Sequence, residues 1–97
     1  MNITDIIIRK SYDDRAVKAI VSIVIDGKLA IHELKIVEGH ERLFVAMPSR
    51  KTANGSFRDV VHPLDSGTRA EIERLILEEY ERFCAEHSEQ GNSDNTD

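Results

Sequence analysis

The fold is decided by residues 16–38, which read AVKAIVSIVIDGKLAIHELKIVE. On both sides of Asp26-Gly27, apolar side chains recur at every second position, which is the period of a β-strand. An Asp-Gly dipeptide between two alternating runs favours the tight turn of a hairpin. The stretch therefore predicts two antiparallel strands, Ala16–Asp26 and Leu29–Glu38.

Shorter apolar runs on either side extend this sheet. Ile3–Lys10 alternates imperfectly but is rich in β-branched isoleucine, and Leu43–Met47 is an apolar run that Pro48 stops. A further extended segment, residues 57–62, follows a polar loop in which Asn54-Gly55 suits a turn. The sequence predicts that this segment and the run at 43–47 pair across the loop, which gives an antiparallel meander of about five strands.

Strict alternation also predicts which residues share a face of the sheet. In the first long strand, one face would carry Val17, Ala19, Val21, Ile23 and Ile25, and the other Ile20 and Val24. In the second, Leu29, Ile31, Glu33, Lys35 and Val37 would lie opposite Ala30, His32, Leu34, Ile36 and Glu38. Apolar residues therefore occur on both faces of the predicted sheet.

After Pro63 the apolar period changes from about 2 to about 3.6 residues, which predicts one long C-terminal helix. Thr68 with Glu71 fits a capping box at its start, and Ser66 is the alternative N-cap. Its apolar face would consist of Ile72, Leu75, Ile76, Tyr80 and Phe83. The predicted fold class is therefore α+β, an antiparallel sheet with one C-terminal helix.

The length of 97 residues is that of a single domain, which we assign to residues 1–85. Residues 86–97 contain no apolar side chain and are expected to form a disordered acidic tail, since they bury nothing that would offset their ordering entropy. One helix covers only one face of a sheet, so apolar residues on the other face predict a homodimer. The alternative is that scattered surface aliphatics need no partner.

Composition points to a cytoplasmic protein without a membrane segment. No apolar run approaches the ~20 residues that span a bilayer, and the N-terminus lacks the pattern of a signal peptide. The single cysteine, Cys84, has no second cysteine in the chain with which to form a disulfide. A reducing compartment is the simplest inference.

Charge is distributed unevenly along the chain, whose net charge is −5. Residues 1–69 have a balance of +2, and residues 70–97 have a balance of −7. The acidic total therefore conceals a mildly basic front part. Local surface potential decides which charged partners approach, so a polyanionic partner remains compatible with this sequence.

Motifs of catalysis and metal binding are sparse. The four histidines and Cys84 lack the spacings of zinc sites, and the five glycines form no phosphate-binding loop. We therefore expect no enzyme activity, no cofactor, no metal and no small-molecule substrate. His62, directly before Pro63, is either a phosphate contact or base, or a strand-end histidine that bonds to the backbone.

The basic residues around the Asn54-Gly55 loop are more informative. Arg50, Lys51 and Arg58 flank this loop, and Arg69 lies at the predicted helix start. Paired strands would bring the first three into one region, where cations near helix N-terminal amides suit phosphate binding. Phe57 either stacks on a base or belongs to the core, in which case the cations form a solvated rim.

The residues of this region resemble the SpoVG family, the stage V sporulation protein G or septation proteins of bacteria. The resemblance is carried by LFVAMPSRKT (residues 43–52), Gly55, FRD (57–59), His62-Pro63 and Arg69. It extends from about residue 2 to the region of Tyr80. Departures lie at residues 11–15 and in the acidic tail.

The resemblance implies a small, dimeric, cytoplasmic regulator that binds DNA and RNA with some site preference and influences gene expression. In spore formers it implies a role in septation and sporulation. The nucleic-acid-binding residues expected here are Arg50, Lys51, Thr52, Arg58, His62 and Arg69. The alternative function is a protein-interaction module in cell division that does not itself bind nucleic acid, and the acidic tail is a candidate competitor for the basic surface.

Overall fold

The computed structural model describes the backbone of residues 2–94 and the side chains of residues 2–86. The elements of this part follow in the order β1 (Ile3–Ser11), β2 (Val17–Ile25), β3 (Leu29–Glu38), β4 (Leu43–Ala46), β5 (Ser49–Lys51), β6 (Phe57–Asp59) and α1 (Ser66–Asp94). Strands β1 to β4 form one sheet in sequential order, and β5 pairs with β6 in a separate two-stranded sheet. All pairs are antiparallel. The predicted α+β class with one C-terminal helix is confirmed.

The β2–β3 hairpin has the predicted tight turn. Asp26 and Gly27 have φ angles of 55° and 64°, the left-handed conformations that a type I′ turn requires. The N–H of Lys28 donates to the carbonyl oxygen of Ile25 at 2.9 Å and closes the turn. The side chain of Asp26 also accepts the N–H of Asn2 at 3.0 Å, which ties the start of β1 to this turn.

A β-bulge in β3 changes which side chains face the core. Ile31 pairs with Ile23 and Leu34 with Val21, so β3 has one more residue than β2 between these pairs. Glu33 lies in this bulge with φ of 69°. Ile31 and Leu34 consequently both pack on the core, so their predicted assignment to opposite faces is wrong.

Register shifts also explain the imperfect alternation of β1. One shift lies between Ile3 and Asp5, and a second follows Ile8. Because the first shift inserts a residue, Ile3, Ile6 and Ile8 all pack against the core. A similar shift after Val17 pairs it with Val37, on the face away from the core, so its predicted place beside Ala19 is wrong.

The core lies between the four-stranded sheet and α1. Its buried members are Ala19, Val21, Ile23, Leu34, Ile36, Val45, Met47, Ile72 and Ile76. Tyr80 packs against this cluster as predicted, whereas Leu77, and not Leu75, is the leucine of α1 that does so. Burial of Tyr80, together with its hydrogen bond to Cys84, raises the pKa of Tyr80 to about 12.

The helix is capped by a residue that the sequence did not single out. Asp65 precedes α1, and its Oδ2 accepts the N–H of Thr68 at 3.0 Å. The Thr68 hydroxyl donates to Oδ1 of Asp65 at 2.6 Å. The predicted N-caps Ser66 and Thr68 are therefore wrong, since both lie inside the first turn. The hydroxyl bond from Thr68, and then its backbone bond, hold the pKa of Asp65 below its ordinary value.

The backbone of α1 extends to Asp94 and so enters the segment predicted to be a tail. Side chains from residue 87 and the backbone from residue 95 lie outside the described residues, so the disordered acidic tail at 86–97 stays a prediction. No helix within the described residues is long and apolar enough to cross a membrane.

The sheet face opposite α1 has no second helix over it in the part of the chain described. At its centre lies the Ser22 side chain, which is buried although it is polar. Its hydroxyl accepts a hydrogen bond from Nε of Arg9 at 3.1 Å and lies 2.8 Å from Nδ1 of His32. Around it on this face, which we call the open face, lie the apolar residues Ile7, Val17, Ile20, Val24, Val37 and Phe44.

Candidate nucleic-acid interface

The β5–β6 hairpin carries the predicted basic residues and leaves the core at a fixed point. Met47 and Pro48 are buried directly before β5, and the N–H of Val60 donates to the carbonyl oxygen of Pro48 at 2.7 Å. Every residue of β5 and β6 is exposed. The hairpin is therefore anchored at its base and open to solvent along its length.

The pairing of this region differs from the sequence prediction. The run at 43–47 pairs with β3, where Val45 lies opposite Ile36, and not with the segment at 57–62. Strand β6 pairs instead with Ser49–Lys51, which was predicted as loop. The apolar run is drawn into the main sheet because its alternate side chains, Val45 and Met47, reach the core.

The turn of the hairpin is built by polar side chains. Gly55 has φ of 91°, and its N–H donates to the carbonyl oxygen of Thr52 at 3.0 Å. Asn54 contributes its side chain: Oδ1 accepts hydrogen bonds from the Thr52 hydroxyl and from the N–H of Ser56. The Thr52 hydroxyl therefore donates its proton within the turn. The main role of Thr52 in this structure is to shape the loop.

The strand register divides the basic residues between the two faces of the hairpin. Arg50 pairs with Arg58, and Lys51 pairs with Phe57. Since directly opposed residues share a face, the two arginines lie on one face, and Lys51 and Phe57 lie on the other. Asp59 pairs with Ser49 and therefore shares the Lys51 face. The predicted cluster of three cations is thus an arginine pair with a lysine behind it.

These cations are not neutralised by acidic side chains. Among the side chains of residues 2–86, the ion pairs involve Arg15, Lys18, Arg42, Arg74 and Arg82, and none of the hairpin cations. Residues 49–59 contain three cations and one acid, a balance of +2. Like charges directly opposite each other destabilise a strand pair. An anion held between Arg50 and Arg58 would relieve that repulsion.

Two open depressions meet at Phe57 and Arg58, which line both. The first, of about 600 Å³, is also lined by Thr52, Ala53, Asn54 and Ser56. The second, of about 700 Å³, is also lined by Asp59 and His62. Phe57 is 69% exposed, so the interpretation that it belongs to the core is wrong.

The six predicted site residues are only partly brought together. Thr52, Arg58 and His62 line the depressions that Phe57 also lines. Arg50 and Lys51 lie on the neighbouring strand β5, opposite Arg58 and Phe57. Arg69 is exposed in the first turn of α1 and lines neither depression. His62 also lines a small apolar cavity of about 100 Å³ beside the helix start, so it lies between hairpin and helix.

Three residues of the hairpin were not predicted as site residues, although Asn54 was predicted to form the turn. Asn54 and Ser56 shape and line the first depression, and Asp59 places an acid on the lysine face. The polar character of the loop was the available signal for the first two. No group of three or more potential metal ligands occurs among the described residues.

Comparison with known proteins supports the resemblance seen in the sequence. The family model described as SpoVG matches residues 1–82. A protein of Desulforudis audaxviator named "Putative septation protein SpoVG" is 52% identical over 81 residues, which cover 84% of this chain and 92% of that protein. A protein of the same name from Caldanaerobacter subterraneus subsp. tengcongensis is 48% identical over 82 residues, covering 84% and 90% of the two chains.

A third relative, from Listeria monocytogenes, is named "Putative septation protein SpoVG 1" and is 51% identical over 81 residues. That alignment covers 84% of this chain and 79% of the relative. The matched residues include all six strands and most of α1. A family match over residues 1–82 and relatives of about half identity lead to one conclusion: the chain belongs to the SpoVG family.

Proposed function

We propose that this chain is a non-enzymatic, site-preferring DNA- and RNA-binding regulatory protein of the cytoplasm. It influences gene expression and, in spore formers, septation and sporulation; the names of its relatives support the role in septation. The observation that carries nucleic-acid binding is the Arg50–Arg58 pair, two like charges opposed on an exposed hairpin without acidic partners.

Phosphate is the anion that suits this pair. Each guanidinium presents a planar fork of N–H donors that binds phosphate oxygens. A few phosphate contacts per subunit support weak, salt-dependent binding, because each contact releases counterions from the nucleic acid. His62 lines the second depression at the base of the hairpin and is a candidate for a further contact.

A homodimer is part of this proposal, since two hairpins on one particle raise the avidity for a polyanion. The open face supports it: six apolar residues surround a buried serine hydroxyl there, and no second helix within the described chain covers them. A two-fold interface built from one such face of each subunit buries both faces at once.

The test is fluorescence anisotropy with labelled DNA and RNA at two salt concentrations. Replacing Arg50 and Arg58 by alanine is expected to weaken binding and to lower the slope of log affinity against log salt by about 2. The matched control is Arg15→Ala with Arg74→Ala, which removes the same charge from arginines that are already ion-paired. Binding that is unchanged in the hairpin variant, or absent in the parent at low salt, would contradict the proposal.

The second candidate is a protein-interaction module in septum formation. Val60 and Leu64, in the connection from β6 to α1, are 60% and 91% exposed, and exposed aliphatics of this kind favour a protein partner. Pull-down from a nuclease-treated lysate separates the two functions. Partners that persist and are lost on Leu64→Ser favour this candidate, and partners that vanish with nuclease favour nucleic acid.

A further inference from the structure

We propose that the Lys51–Phe57 face of the hairpin binds an unpaired nucleotide, with its base stacked on the Phe57 ring and its phosphate held by Lys51. The preferred ligand of this face is therefore single-stranded nucleic acid. This inference rests on the proposed function and adds the form of the ligand to it.

The exposure of Phe57 is the first observation that supports this inference. Phenylalanine buries a large apolar area in most folds, yet Phe57 is 69% exposed on a two-stranded sheet. It lines both open depressions, so there is free space on either side of it along the hairpin. A flat aromatic base requires this kind of space to lie against a ring.

The position of Lys51 is the second observation. It is the cross-strand partner of Phe57, and directly opposed residues have Cβ atoms about 5 Å apart on one face. A lysine side chain is long enough to reach the phosphate attached to a nucleotide stacked on the neighbouring ring. Lys51 has no acidic partner among the described side chains, so its ammonium group is available for that contact.

Asp59 is expected to determine on which side of the Phe57 ring the phosphate lies. It lies on the same face as Lys51 and Phe57, one row nearer to the base of the hairpin. Its carboxylate repels phosphate, whereas Lys51 attracts it, so the phosphate is expected on the turn side of the ring. Replacing Asp59 by asparagine should therefore strengthen binding of a single strand.

The Lys51–Phe57 face is expected to distinguish single-stranded from double-stranded nucleic acid, because the two forms differ in how far the faces of their bases are exposed. In a duplex the faces of the bases are covered by their stacked neighbours, and only phosphates and base edges reach a protein. In a single strand every base offers a face, and stacking on aromatic side chains tolerates any sequence. The Arg50–Arg58 face takes phosphates from either form, but the Phe57 face gains only from the single strand.

The first experiment compares Phe57→Ala with the parent on oligonucleotides of about 12 residues, as single-stranded dT, single-stranded rU and a duplex of matched length. We expect the variant to lose about 5- to 150-fold in affinity for both single strands and little for the duplex. Leu64→Ala is the control, since it removes another exposed apolar side chain outside the hairpin. Equal losses on single strand and duplex, or no loss, would overturn the inference.

The second experiment uses the absence of tryptophan from this chain. Phe57→Trp creates a single fluorophore at the proposed stacking position, and we expect single-stranded dT to quench it and the duplex to leave it nearly unchanged. Light scattering of both Phe57 variants completes the test. A changed oligomeric state would make Phe57 a subunit contact and would also overturn the inference.

Failure of this inference is distinguishable from failure of the proposed function. If the arginine variants lose binding while Phe57→Ala binds all three oligonucleotides as the parent does, the hairpin binds phosphate but not bases. If the parent binds none of the three at low salt, the proposed function itself fails.

Discussion

The backbone N–H of Val45 donates a hydrogen bond to Oε2 of Glu73, across a distance of 3.0 Å. Val45 belongs to β4, the edge strand of the four-stranded sheet, and is buried. The N–H groups on the outer side of an edge strand have no strand to pair with. Helix α1 therefore supplies both apolar packing and an acceptor that closes this edge.

Removal of this acceptor is expected to destabilise the fold. Glu73→Ala leaves the Val45 N–H buried and unpaired, which costs about 1–3 kcal/mol in the free energy of unfolding. The Glu73 carboxylate also pairs with Arg42 at 3.5 Å, but Arg42 is mostly exposed and this pair adds little. Urea denaturation measures the change, with the exposed neighbour Glu71→Ala as control. An equal change in the two variants would contradict this role of Glu73.

The cap of α1 predicts a dependence of stability on pH. Because its hydrogen bonds lower the pKa of Asp65 in the folded state, the ionised carboxylate stabilises the fold at pH values above the unfolded pKa, about 4. This stabilisation is lost as the pH falls through the lowered folded pKa. The difference in Tm between the parent and Asp65→Ala should therefore shrink on going from pH 7 to pH 3.

Asp65→Asn separates the charge from the cap in the same experiment. Asparagine has one side-chain oxygen, which accepts one of the two Thr68 hydrogen bonds, and it does not titrate, so its Tm difference from the parent should be larger at pH 7 than at pH 3. Asp13→Ala, in an exposed turn, serves as the control for a general charge effect. A Tm difference for Asp65→Ala that does not change with pH would refute this explanation.

The sequence was informative wherever one local rule determined the structure. The Asp26-Gly27 turn and the bounds of β3 followed from dipeptide chemistry and alternation, which act over a few residues. The bulges did not, because an inserted residue is only visible once both strands of a pair are known. Glu33, in the left-handed region, carries no residue-type signal of a bulge.

The sequence predicted which residues make up the candidate site, but it did not predict how they are arranged on the hairpin. The basic residues around Asn54-Gly55 were recognised from the chain, but the division of Arg58 and Lys51 between opposite faces depends on register. Register in turn depends on where the run at 43–47 pairs. This run pairs with β3 because Val45 and Met47 are thereby buried in the core. Asp65 was overlooked as the cap since Ser66 and Thr68 also fit local rules.

The bulge at Glu33 predicts opposite responses to two substitutions. Its φ of 69° is accessible to glycine without steric cost but is strongly disfavoured for a β-branched residue. Glu33→Gly should leave the free energy of unfolding unchanged or raise it by up to about 1 kcal/mol, whereas Glu33→Val should lower it by about 1–3 kcal/mol. Chemical denaturation of both variants decides this, with Lys35→Val as a control beyond the bulge. If valine is tolerated as well at 33 as at 35, the left-handed conformation is not required.

The turn of the β5–β6 hairpin predicts a variant that separates binding from stability. A Cβ at Gly55 would meet no atom within 4 Å, so the cost of Gly55→Val arises from its φ of 91° alone. The hairpin lies outside the core, and we expect the turn to distort with a small change in Tm but a clear loss of nucleic-acid affinity. Ala53→Val, in the same turn without a positive φ, is the control. Parent-like affinity in the Gly55 variant would show that the turn geometry does not support binding.

The open face predicts a variant that separates the dimer from the folded subunit. Val24 lies on this face directly opposite Asp5, so the ammonium of Val24→Lys can pair with that carboxylate or reach water when the subunit is alone. At a two-fold interface the same lysine would be buried beside its apolar neighbours, at the cost of desolvating a charge. Light scattering should therefore report a dimer for the parent and a monomer for the variant, with thermal unfolding that remains cooperative. Leu64→Lys, on an exposed connection, should leave the dimer intact. A dimer that survives Val24→Lys would place the interface elsewhere, and a monomeric parent would remove the dimer from the proposed function.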